Sequence, residues 1–179
     1  ISAGENILLA TLAFDVDVFE ESEICLGGLI LSGAGGSSLY TTGPDCASYT
    51  PPPIEVSLGE ELINGMVQVN LNSPYDVYGF QFDVIADNVS LVSASGGAAE
   101  EAGFSVSVGA DTVLGFSFSG ASIENGDYTL TSLLFDGTGN ALICLDGIIL
   151  SGPGGSDLPF IDLGCGDFNF NEVEVNIVS

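Results

Sequence analysis

Residues 24–46 read ICLGGLILSGAGGSSLYTTGPDC, and residues 143–165 read ICLDGIILSGPGGSDLPFIDLGC. Thirteen of the 23 aligned positions are identical, with no gap, at a constant offset of 119 residues. The likeness runs on in both directions. Upstream, ISAGENILLATLAFD (1–15) parallels IENGDYTLTSLLFD (123–136) with one residue of slippage. Downstream, IEVSL (54–58) parallels VEVNI (173–177), again 119 residues on. A period of about 120 residues is too long for a solenoid turn and right for a whole domain. The chain therefore divides into the second half of a repeat (1–50), a stiff Pro linker (51–53), a complete repeat (54–172) and the opening strand of a following repeat (173–179).

Within the repeat, nearly every segment reads as strand and turn. MVQVNL (66–71), YGFQFDVIA (78–86), FSVSV (104–108) and VLGFSFSG (113–120) alternate apolar with small or polar residues, so each buries one face. LTSLLFD (130–136) and ALICLDGIIL (141–150) are more continuously apolar, as central strands are. Turn signals recur at Asn64-Gly65, Gly96-Gly97 and Asn125-Gly126. Only AAEEAG (98–103) suits a helical turn. Short strands, frequent turns and no helical periodicity predict an all-β sandwich.

The succession IEVSLGEELINGMVQVNLNSPYDVYGFQFDV, GFSVSV, VLGFSFSGASI, LTSLLFD and ICLDGIILSGPGGSDL resembles a cohesin-like domain. The YGFQFDV and LTSLLFD strands carry the resemblance most closely. It implies an extracellular jelly-roll sandwich, related in fold to some carbohydrate-binding modules. It covers 54–172 in full, with 1–53 as the second half of a preceding copy.

Composition narrows the function. The chain has 25 Asp and Glu but no Lys, Arg or His, a formal charge of −25, while 46% of its residues are hydrophobic. That apolar content is enough for a core. Without cationic side chains there is no clamp for phosphate, so neither nucleic acid nor an anionic membrane is a partner. His-based triads, Schiff-base lysines and His-containing zinc sites are likewise excluded. Uncompensated negative charge points to cations from solution or to bound calcium. No apolar run reaches the roughly 18 residues that span a bilayer. No basic n-region marks a signal peptide, so a mature or trimmed product is expected. Removing every Lys and Arg also removes every trypsin site.

Cys25, Cys46, Cys144 and Cys165 form two equally spaced pairs, which predicts two disulfides in an oxidising, extracellular setting; the alternative is four buried thiols. Each loop of about 20 residues would gain on the order of 3 kcal/mol from its staple. Asp15, Asp17 and Glu20 cluster in FDVDVFEESE, and Asp136 matches Asp15 in the repeat; together they are the candidate calcium ligands, against the alternative of a solvated acidic strand edge. DFNFNE (167–172) resembles an EF-hand run but lacks its Gly and terminal Glu. Asn88-Val89-Ser90 is a glycosylation sequon, and Thr50 before the Pro run is a candidate O-glycan site. A glycosidase needs two carboxylates across a cleft, one with a raised pKa. No such pair stands out, and no enzymatic activity is expected.

Val173, Val175 and Ile177 share one strand face and are the candidate donor strand. The expectation is an extracellular structural protein whose copies assemble head to tail, 173–179 of one completing the 1–53 half of the next. The alternative is a cohesin-type or carbohydrate-binding module of a giant tandem-repeat adhesin. Sugar platforms usually expose aromatics, yet the chain has no Trp and five Tyr, and most of its 11 Phe fall at core-like parity.

Overall fold

The computed structural model describes residues 11–13, 19–28, 30–39 and 46–171. The chain forms two compact units, Ile1–Pro51 and Pro52–Ser179. Unit 1 contains β1 (Ser22–Cys25), β2 (Leu31–Ser32), β3 (Ser38–Leu39) and β4 (Cys46–Tyr49). Unit 2 contains β5 (Ile54–Ile63), β6 (Met66–Ser73), β7 (Gly79–Ala86), β8 (Val89–Ser95), α1 (Gly97–Glu101), β9 (Ser105–Gly109) and β10 (Thr112–Phe116). It continues with β11 (Gly126–Gly137), β12 (Asn140–Ser151), β13 (Phe160–Asp162) and β14 (Gly166–Asn169).

Unit 2 is an all-β sandwich of two five-stranded sheets, ordered β13-β5-β6-β11-β8 and β14-β12-β7-β10-β9. All pairings are antiparallel except β13 with β5, where Phe160 lies opposite Ile54. The core follows from period-two alternation. Val67, Val69 and Leu71 of β6 are buried from one sheet, and Phe80, Phe82 and Val84 of β7 from the other. β10 faces the core with Val113 and Gly115, not with its Phe. The absent side chain makes room: a Cβ on Gly115 would meet the Phe80 ring at 2.1 Å. Phe80 in turn stacks on Phe82 and Phe104, at 6.1 and 6.2 Å between ring centres.

Two irregularities reset the alternation. In β11 the register shifts between Thr129 and Thr131, leaving the adjacent Leu130 and Thr131 both buried. In β12 it shifts between Asp146 and Ile149, with Gly147 at φ 54°. Ala141, Ile143 and Leu145 face inward before this bulge and Leu150 after it. The apolar run 141–150 is thus a central strand, but Leu142 and Ile149 face outward and are exposed. Where β11 begins, Asp76 accepts hydrogen bonds from the backbone N–H and Nδ2 of Asn125, at 2.9 and 3.2 Å. Burial, with Asp76 beside it, pushes the Tyr128 hydroxyl up to about 12.

Among the described residues, unit 1 repeats the disulfide, strand pairing and turn of the later copy. Cys25 pairs with Cys46 and Cys144 with Cys165, each across a sequence separation of 21. β1 and β4 align Ser22 with Tyr49 and Ile24 with Ala47; 119 residues on, Ala141 aligns with Phe168 and Ile143 with Gly166. The Gly33 N–H donates to the Ser37 carbonyl at 2.6 Å, as the Gly152 N–H does to that of Ser156 at 2.7 Å. The intervening turns place Gly35 and Gly154 at φ 75° and 69°, a backbone conformation that favours glycine.

Burial is where the copies differ. Leu145 and Leu158 are each 4% exposed, whereas their counterparts Leu26 and Leu39 are 48% and 51% exposed. Both edges of β12 are paired, to β14 and to β7. Among the described residues, β1 pairs only with β4.

Candidate binding face

The outer face of the β14-β12-β7-β10-β9 sheet carries an apolar row next to an acidic one. Gln81 of β7 lies between Leu114 of β10 and Ile149 of β12 in register. Leu114 and Ile149 are both exposed. In the next row Gly79 lies between Phe116 and Ser151. The small residues there leave a depression lined by Tyr78, Phe116 and Ile149.

Phe118 extends this patch. It is 86% exposed and meets Phe116 edge to face, 4.6 Å between ring centres. A defined turn presents it: the Ser117 hydroxyl accepts from the Ala121 N–H at 3.1 Å and lies 3.0 Å from the Ser119 hydroxyl. Gly120, at φ 74°, allows the chain to reverse. A large aromatic is therefore held in solvent by hydrogen bonds of the turn around it, at an energetic cost that burial against a partner would recover.

Further along the same strands the face becomes acidic. Asp83 lies opposite Asp146 on β12 and Thr112 on β10. The Thr112 hydroxyl donates to Asp83, and the Gly147 N–H donates to Asp146 at 2.8 Å. Asp111 lines the same recess. These hydrogen bonds hold the carboxylates in place but bring no positive charge, so the acidic end attracts cationic groups.

The other sequence-predicted residues fall elsewhere. Asn88 sits in the turn between β7 and β8 at φ 61°, exposed, with its Nδ2 donating to the Asn140 carbonyl at 3.0 Å. Thr50 is exposed in unit 1. Asp136 is an exposed β11 residue opposite Ser90, and Glu20 is exposed beside β1. Neither joins a convergent group of carboxylates among the described residues, so calcium is not supported there. Glu23 approaches Cys25 and Cys46, but those sulfurs are bonded to each other and are not thiolate ligands. Asp167 of the EF-hand-like run lies in β14, whose backbone pairs with β12 as a strand and not as a calcium loop. Asp15 and Asp17, and the donor residues Val173, Val175 and Ile177, lie outside the described residues.

The sequence reading missed this face by placing most Phe in the core. Phe80, Phe82, Phe104, Phe135 and Phe168 are buried, but Phe118 and Phe160 are exposed and Phe116 only half-buried. The available signal was Gly115: a glycine within an apolar strand marks the inward parity when a large ring needs the space, which turns Leu114, Phe116 and Phe118 outward.

No protein-family model and no curated protein matches the chain. Solved structures do. The chain is similar to a non-cellulosomal cohesin from the hyperthermophilic archaeon Archaeoglobus fulgidus, at 16% identity and a TM-score of 0.52, over 66% of this chain and 91% of that one. It is also similar to a chain of a type I cohesin–dockerin complex from Clostridium thermocellum, at 9% identity and a TM-score of 0.50, over 65% and 94%. The fold is a cohesin-like β-sandwich. In this cohesin-like sandwich the apolar row crosses three consecutive strands, β12-β7-β10, a rigid base for a contact surface. Among the described residues, no helix is long and apolar enough to cross a membrane.

Proposed function

We propose that the chain is an extracellular, non-catalytic protein-binding module. The observation that carries this reading is the exposed Leu114 and Ile149 on a rigid sheet, with the exposed Phe118 on the turn beside them. Exposed apolar residues grouped around an ordered aromatic mark interaction surfaces, and buried aromatics dominate their energetics. Asp83 and Asp146 beside the row select a partner whose contact pairs apolar side chains with Lys or Arg. The Clostridium thermocellum structure is a complex of a cohesin with a dockerin, and a protein partner of that kind is the class proposed here. Two disulfides support an oxidising, extracellular location.

The test is binding to a panel of dockerin domains and other small folded domains, measured by calorimetry. We expect one to bind the full chain, with affinity falling as salt rises. Phe118→Asp should then weaken binding by about 2 kcal/mol or more, some thirtyfold. Equal affinity for the wild type and Phe118→Asp would remove this face from the reading. A glycan-array hit abolished by Phe118→Asp would reassign the face to carbohydrate.

A second reading is favoured by the exposed apolar residues of unit 1. Copies of the chain join head to tail into an extracellular filament, with other copies as the partner. Electron microscopy of the purified chain tests it; particles that stay single at every concentration would count against it.

A further inference from the structure

The two sheets of unit 2 end in β13 and β8 on one layer and in β14 and β9 on the other. An edge strand offers unpaired backbone N–H and C=O groups to any extended chain, and charge, shortness or a bulge usually blunts it. Three of these edges are blunted. β13 is three residues long and carries Asp162, and β14 is four long and carries Asp167. β8 bulges at Val92, where its register with β11 shifts. β9, SVSVG, carries no charge and runs beside β10 without a shift. In a chain of formal charge −25, no Asp or Glu occurs from Ala102 to Ala110.

The hairpin decides where the β9 backbone groups point. A two-residue turn, Ala110 and Asp111, joins β9 to β10, which makes Gly109 and Thr112 a hydrogen-bonded pair, and likewise Ser107 with Leu114 and Ser105 with Phe116. The Val84 N–H donates to the Asp111 carbonyl at 2.8 Å, which gives the same alternation from the other side of β10. Val106 and Val108 therefore turn their N–H and C=O groups away from β10, to an edge that no strand fills among the described residues. Their side chains are half-buried, while Ser105 and Ser107 are exposed on the outer face.

These outward groups lie symmetrically about Ser107. A two-fold axis through that residue sets Val106 opposite Val108 of a second copy, and Val108 opposite its Val106. Each pair then exchanges both of its hydrogen bonds, and the half-buried valines cover one another. Ser107 meets Ser107 on the outer side, and no carboxylate is brought to the join. β9 is thus its own complement. The join also continues the candidate binding face, because Ser107 stands in the row of Leu114, Gln81 and Ile149.

We propose that two copies of the chain pair antiparallel through β9, Ser107 against Ser107, giving one continuous sheet that carries both binding faces. The contact is isologous and closes on itself, so it yields a dimer and not a filament. It stands independently of what the face binds. The like charge of the two copies opposes it, so rising ionic strength strengthens it.

The test is disulfide trapping and sedimentation of the full chain. All four native cysteines are paired, so Ser107→Cys introduces a single free thiol. In the proposed register two such thiols face each other across a non-hydrogen-bonded pair, about 4.5 Å between Cα atoms. Cys25 and Cys46 are bonded across β1 and β4 at 4.1 Å. Mild aerobic oxidation should turn most of Ser107→Cys into a covalent dimer that a reductant releases. Ser105 is also exposed, but it faces Gly109 of the second copy, roughly 13 Å from the other Ser105 and beyond the reach of a disulfide. Ser105→Cys should therefore cross-link at least about tenfold more slowly, and equal rates would overturn the pairing. In sedimentation the wild type should show a monomer–dimer equilibrium that shifts toward dimer between about 0.15 M and about 0.5 M salt. Ser107→Asp changes an exposed residue and should not unfold the chain. It sets two carboxylates opposite each other and should lower the association constant at least about tenfold. A wild type that stays monomeric at every concentration, or a Ser107→Asp variant that dimerises as the wild type does, would overturn the proposal.

Discussion

The two disulfide hairpins share a sequence, a register and a turn, yet one lies inside a sandwich and the other shows its leucines to solvent. Cys25–Cys46 and Cys144–Cys165 span equal separations, and three rungs of the β1–β4 ladder, Ser22 to Ile24, recur in β12–β14 at Ala141 to Ile143. Local geometry is therefore set by residues within the hairpin: a glycine at positive φ, a short turn, a covalent staple. Burial is set by residues outside it. In unit 2 the strands between 54 and 122 provide β7, which pairs along β12, and β5, β6 and β8 of the opposite sheet, which closes the core. Hairpin shape and hairpin burial are thus separable, and paired substitutions at equivalent positions measure each alone.

The largest difference is expected from Leu145→Ala against Leu26→Ala. Leu145 is surrounded by core, so truncation removes transfer free energy and leaves a cavity, a loss of roughly 2–5 kcal/mol. Leu26 is half exposed, and the same truncation in the monomer should stay within about 0.5 kcal/mol. Urea denaturation reads unit 2, and hydrogen exchange of the β1 amides reads unit 1. Equal losses would mean that Leu26 is covered in solution even when the chain is dilute.

Next come the staples. Replacing both cysteines of a pair by serine should cost on the order of 3 kcal/mol in either unit, because the loops are equally long and the entropy returned to the unfolded chain is equal. A clearly greater loss in one unit would locate the difference in the folded state. The structural candidate for such a difference is β13, which lies within the Cys144–Cys165 loop and pairs with β5.

How much of this was legible follows the same division. The repeat, the strands, the helical turn at Gly97–Glu101 and the cysteine pairing rest on local period and spacing, which sequence carries directly. The outward face of Leu114, Phe116 and Phe118 was not read, because parity within a strand does not say which side is the core. Here Phe80 decides it, from another strand, by filling the space above Gly115. The bulge between Asp146 and Ile149 hid the exposure of Ile149 in the same way, by changing phase inside an apolar run. Calcium was expected from carboxylates near one another in sequence, but coordination needs convergence in space, and strands send alternate side chains to opposite faces.

The smallest difference isolates packing from backbone conformation. Gly33 and Gly152 both have negative φ, −84° and −93°, so alanine is conformationally acceptable at either. Space is tight at both. An added Cβ would lie 2.8 Å from the Ser37 hydroxyl and 3.1 Å from the Leu39 side chain in one, and 2.8 Å from both Ser156 and Leu158 in the other. Leu39 is free to swing into solvent, whereas Leu158 is held by the core. Gly152→Ala should therefore destabilise unit 2 by about 1–3 kcal/mol, as overpacking does. Gly33→Ala should change unit 1 by less than about 0.5 kcal/mol when the chain is dilute. If a second copy covers Leu39, that freedom disappears, and the cost of Gly33→Ala should rise with protein concentration toward that of Gly152→Ala. A cost that stays small at every concentration would leave the outer side of the unit 1 hairpin free of any packed partner.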